Sequence, residues 1–145
     1  MSANAWSVLM MVTAAFAASA SLGVLLTNMV ARGALVAGGP DALRYDLNYT
    51  DRTYILASVL CSIGALAALK FSVATFGAFV MLALSLQVAE HMMLPRMREA
   101  ADAGTEMPYQ GTRTRFELLL FLGLAFIFGN LSFPPLVTLA RVYGL

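Results

Sequence analysis

Three residues within one helical turn carry most of the chemistry this chain could offer. Gln87, Glu90 and His91 stand three and four residues apart, a spacing that puts Glu90 and His91 each on the side of a helix that Gln87 occupies. A carboxylate and an imidazole so placed can move a proton, with the amide to orient either one. Later in the chain, Arg115 and Glu117 stand at the start of an apolar run, and Asn130 lies about 13 residues, or roughly 20 Å, deeper along a helix. Gln87, Glu90, His91, Arg115, Glu117 and Asn130 together form the candidate polar cluster, a set that could line a path for a solute. With Arg113 or Arg115 as an anion clamp, it could also act on a lipophilic substrate.

Plainer roles compete for each of these side chains. Glu90 and His91 lie about one turn before Pro95, where they can reach lipid headgroups or pair with Arg96, Arg113 or Arg115. Asn130 and Ser132 suit a seam between helices, and Pro134-Pro135 suits a kink that interrupts the run. Met92, Met93 and Met97 surround His91, and thioether with imidazole suits Cu(I). No spaced methionine series or second histidine supports that reading, so these methionines are read as gap-filling core.

Absences narrow the chemistry further. A lone histidine excludes bis-histidine haem ligation within one chain and leaves histidine-based metal triads short of ligands. Cys61 is the single cysteine, so no intrachain disulfide or cysteine zinc cluster can form. There is no Gly-x-x-x-x-Gly-Lys-Ser/Thr loop for a nucleotide phosphate, and no cofactor is expected. A net charge of +1 offers no basic face, so nucleic acid is set aside as a partner.

The elements that must position these groups are apolar. Of 145 residues, 60% are hydrophobic and 12% charged, too much apolar surface for a short soluble chain to hide. Met1–Ala31, Thr53–Leu69, Phe71–Ala89 and Leu118–Ala140 contain no Asp, Glu, Lys, Arg or His, and each approaches the roughly 20 residues that cross a bilayer core. The sequence therefore predicts an all-α integral membrane four-helix bundle with two cytoplasmic loops. It is one transmembrane domain over 1–145, with spans at about 6–30, 53–69, 71–94 and 116–140. Ala18-Ser19-Ala20 resembles a signal-peptide cleavage site, but no basic region precedes the apolar run, which is read as a retained first span.

Punctuation fixes the loops. Residues 33–50 read as a polar loop, with Gly38-Gly39-Pro40-Asp41 as a turn ahead of a short surface helix. The stretch from Tyr54 to Met93 is too long for one straight span, and Lys70 with Phe71-Ser72 is the cheapest place for it to reach water and turn. Pro95 opens a short interfacial helix that ends at Gly104. Seven arginines (Arg32, Arg44, Arg52, Arg96, Arg98, Arg113 and Arg115) then fall on one side and only Lys70 and Arg141 on the other. The positive-inside rule makes both loops cytoplasmic and both termini external, in a bacterial-type inner (plasma) membrane. Asn48-Tyr49-Thr50 matches a glycosylation acceptor, but on that side it is accidental.

Length, four spans and a long first loop are similar to membrane-associated proteins of eicosanoid and glutathione metabolism. The Glu-Arg and Arg-Ala-His-x-Asn pattern those proteins would require near span two is absent, as is the acidic residue of span one in small multidrug transporters. No family is recognised on these grounds. Small-residue faces, Ala14, Ala17, Ala18 and Ser21 in span one and Ser58, Cys61, Ser62, Gly64, Ala65 and Ala68 in span two, suit close helix packing within the bundle or between copies. The leading expectation is an accessory or structural subunit whose partners are the lipid bilayer and either a homo-oligomer or a larger membrane complex. The alternatives are an oligomeric small-solute or ion transporter or channel, and a membrane enzyme acting on a lipophilic substrate.

Overall fold

The computed structural model describes residues 3–35 and 39–144. These residues form helices α1 (Ala3–Leu35), α2 (Gly39–Ala68), α3 (Val73–Val88), α4 (Leu94–Ala103) and α5 (Gln110–Val142), with a π-helical turn over Ala89–Met93 joining α3 to α4. Four apolar stretches are long enough to span a bilayer: Ala5–Arg32, Arg44–Ala68, Val73–Ala103 and Gln110–Phe133. The chain is a small all-α, multi-pass membrane protein, a four-helix bundle.

α2 differs from the sequence reading. Its 30 residues run without a break, so the expected surface helix and the second span are a single element. The physical reason is plain in the sequence: Pro40 lies in the first turn, where its missing N–H leaves nothing unpaired, and no further proline interrupts the chain before the helix ends. Gly38, part of the expected turn, lies outside the described residues. α2 ends in a turn over Leu69–Phe71, whose amides donate to carbonyls of the last turn. Ser72 then caps α3, its hydroxyl accepting from the Thr75 amide at 3.2 Å.

The π-turn accommodates Pro95. Leu94 N–H reaches back five residues to the Ala89 carbonyl, and the wider turn passes the chain into α4 with Pro95 in its opening turn. Gly104, at φ 68°, closes α4 in the left-handed conformation glycine favours. Tyr109, just before α5, takes the same region at φ 65° without being glycine. α5 continues through Pro134-Pro135 to Val142, so the expected interruption of the fourth span is not a break in the helix.

Around the bundle the order is α3, α2, α1, α5, with α1–α2 and α2–α3 the extensive contacts and α3 touching α5 only lightly. Small residues allow the first two to be close. Ala14, Ala18, Ala57, Cys61, Ala65 and Ala68 are all buried in one core, and Ser21 Oγ lies 3.9 Å from Cys61 Sγ. An ideal Cβ on Gly64 would stand 2.6 Å from the Phe79 ring, so the α2–α3 crossing depends on that glycine. Both small faces are used inside the bundle. Large apolar side chains such as Val12, Phe16, Leu66, Met81, Leu119 and Phe126 cover its outside, as a lipid-facing surface requires.

Candidate functional site

Where α1 ends, α2 begins and α5 begins, eight polar side chains meet inside the bundle. Each helix supplies them at a spacing of four, which stacks them on its inner face: Asn28 and Arg32 from α1, Asp46, Thr50 and Tyr54 from α2, Arg113 and Glu117 from α5. Thr53 joins from the adjacent position. Glu117, Arg113 and Asp46 are only 2%, 4% and 6% exposed, so the site is shielded from water although four of its members are charged.

The charges close into a ring. Arg32 Nη2 donates to both oxygens of Glu117, at 2.5 and 2.6 Å. Arg113 Nε donates to the same carboxylate at 3.3 Å, while its Nη1 and Nη2 fork onto Asp46 at 3.0 and 3.2 Å. Arg32 Nε, 3.8 Å from Asp46 Oδ1, completes the circuit. Two cations and two anions sum to zero, which is the condition for carrying ions at low dielectric without a large solvation penalty.

Neutral groups take up most of what remains. Tyr54 OH donates to Glu117 at 2.7 Å, and its ring meets Phe116 edge-on with centroids 5.9 Å apart. Asn28 accepts from Arg32 at 2.9 Å and donates to Thr50 and Thr53 at 3.1 and 3.3 Å. Thr50 in turn donates to Asp46 and accepts from Arg113. Of the ring's buried side-chain N and O atoms, only Arg32 Nε lacks a hydrogen-bond partner. Such an arrangement can lock the rotation and register of three helices against one another. It leaves no carboxylate free to exchange a proton with a bound molecule.

The structure distributes the sequence-derived cluster over separate places. Glu117 belongs to the ring. Gln87 lies on the α2–α3 side, donating to Ser58 Oγ at 2.8 Å and meeting His91 Nε2 at 3.2 Å. Glu90 is half-buried on the π-turn and makes no ion pair among the described residues. Arg115 is exposed. Asn130 is exposed too, beside Phe71, Ser72 and Thr75 at the opposite end of the bundle. The inward packing expected for Asn130 is therefore not found, because α5 turns Leu120, Leu124 and Ile127 to the core instead.

Of the ring, Glu117 and, as an anion clamp, Arg113 are the members the sequence offers; Asn28, Arg32, Asp46, Thr50, Thr53 and Tyr54 are not marked as a site by sequence. The signal was the repeated spacing of four in three segments, hidden because residues 33–50 read as loop. Among the described residues, no three of His, Cys, Asp and Glu lie close enough to hold a metal ion.

A second feature lies between α3–α4 and α5, where contact is slight. A groove of about 590 Å³ opens sideways there, walled by Met81, Leu84, Val88, Met92 and Phe116, with Arg96 and Tyr109 toward one end. Arg96 Nη1 donates to the Tyr109 hydroxyl at 2.6 Å.

No family model matches the chain, and neither a curated protein nor a solved structure matches it. Fold and site together define the class: a small multi-pass membrane protein, its four apolar helices tied at one end by a buried, self-neutralising ring of ion pairs.

Proposed function

We propose that the protein is an accessory or structural membrane subunit, assembling with copies of itself or with a larger membrane complex. The observation that carries this reading is the closure of the ring. Among the described residues, the fully buried charged groups Asp46, Arg113 and Glu117 are each paired within the chain, so the polar interior works as a clamp and the outer apolar faces are left for association. A transport path through one chain would need Gln87, Glu90, His91, Glu117 and Asn130 to converge, and they occupy three separate places. An enzyme for a lipophilic substrate would need an acid or base in the lipid-facing groove, and the groove is walled by neither carboxylate nor histidine.

Arg32, Arg44, Arg98 and Arg113 make ion pairs at the ring end, and Arg52, Arg96 and Arg115 lie within a few residues of them along the chain. We take that end as cytoplasmic in a bacterial-type inner (plasma) membrane.

Native mass spectrometry of the protein, extracted gently from its own membrane, tests the subunit reading. A stoichiometric partner chain or a defined homo-oligomer is the expected result. A monomer of uniform mass under conditions that preserve other membrane complexes would overturn it.

A further inference from the structure

The groove between α3–α4 and α5 has one polar end and one apolar end, and both are made by named groups. Along the α3–α4 wall, Met81, Leu84, Val88, Met92 and Arg96 follow one another at helical spacing, a stripe about 22 Å long. That exceeds the half-thickness of a bilayer core, about 15 Å, so a molecule lying along it would cross one leaflet. The other wall is α5, through Phe116 and Thr112. The volume of about 590 Å³ falls in the range of sites that hold small molecules.

The polar end is built to meet an anion. Among the described residues Arg96, like Arg52 and Arg115, makes no ion pair, and of these three it is the one that lines the groove. Its hydrogen bond to Tyr109 uses the tyrosine oxygen as acceptor, which leaves the Tyr109 hydroxyl proton free to donate outward. Thr112 adds a second hydroxyl at the same end. Tyr109 is brought there by a backbone at φ 65°, a region costly for a bulky residue, and strain of that kind persists where the surrounding structure or a ligand holds it. Basic pockets between membrane helices, at the headgroup level, are the chemistry that captures anionic lipid.

We propose that this groove binds an anionic phospholipid of the surrounding bilayer, one acyl chain lying along Met81–Met92 and the phosphate held by Arg96, Tyr109 and Thr112. The lipid lies in the leaflet at the ring end, in its ordinary orientation. Its chain packs on Phe116, whose ring is the partition between the groove and Tyr54 of the ring.

The test is competitive lipid retention by the full chain in detergent, read by native mass spectrometry with dioleoyl-phosphatidylglycerol against dioleoyl-phosphatidylcholine. The protein is expected to retain one phosphatidylglycerol in about tenfold preference, because phosphatidylcholine carries the same phosphate but sets its choline cation against the Arg96 charge. Arg96→Gln should bring that preference close to one, Leu84→Trp should expel both lipids by filling the groove, and Arg44→Gln, outside the groove, should behave as the parent chain. No preference in the parent chain, or preference undiminished in Arg96→Gln, overturns the proposal. So does retained lipid in a folded Leu84→Trp protein. Should that variant fail to fold, Arg96→Gln, a change at an exposed side chain, decides alone. Displacement of phosphatidylglycerol by equimolar oleate would give the site to free fatty acids and also overturn it.

Discussion

Glu117 shows how a carboxylate can be kept in a bilayer-spanning bundle: Arg32, Arg113 and Tyr54 all donate to it. Removing any one cation would strand a buried negative charge, whereas the intact set is neutral, so the cost of burial is met within a few ångströms. The opposite device operates at Gly64, where the absence of a side chain matters. Its missing Cβ leaves room for the Phe79 ring, which would otherwise stand 2.6 Å away, and Phe79 is fully buried. Gly64→Ala should therefore lower stability in detergent by about 1–3 kcal/mol through overpacking. Gly23→Ala, with nothing within 4 Å of the added carbon, should be neutral or raise stability by about 0.5–1 kcal/mol. Thermal unfolding followed by circular dichroism checks both, and equal midpoints for the two variants would contradict the packing argument.

Helices explain what could be read from the sequence and what could not. The four charge-free stretches made the bundle legible, because crossing a bilayer requires runs of about 20 apolar residues and little else in a short chain produces them. The ring was not legible, since its α2 members Asp46 and Thr50 sit in a segment whose polarity and Gly-Gly-Pro opening read as loop. Once α2 is seen to run from Gly39 to Ala68, Asp46, Thr50, Tyr54 and Ser58 become one inner stripe, matched by Asn28–Arg32 and Arg113–Glu117. The Gln87–His91 neighbourhood was legible, because spacing within one turn needs only a helix. Its attachment to Ser58 depended on how α2 and α3 cross. Asn130 suits a seam between helices by its residue type, but the buried stripe of α5 is Leu120, Leu124 and Ile127.

At the scale of the whole molecule, one end of the bundle is charged and closed, and the remainder is apolar. The gathering of seven arginines at the ring end predicts that this end faces the cytoplasm. A reporter fused after Leu145 and active only outside the cytoplasm should be active, and activity confined to the cytoplasm would reverse the orientation. The central claim is that the ring is a single coupled unit tying α1, α2 and α5 together. The most direct test is a double-mutant cycle on its forked pair, with unfolding free energies in one detergent for the parent chain, Asp46→Asn, Arg113→Gln and the double variant. Each single change should cost about 3–5 kcal/mol by leaving a partner uncompensated, and the double should fall short of their sum by at least about 1 kcal/mol. Additive costs within about 0.5 kcal/mol would mean that Asp46 and Arg113 act independently, and would contradict the account.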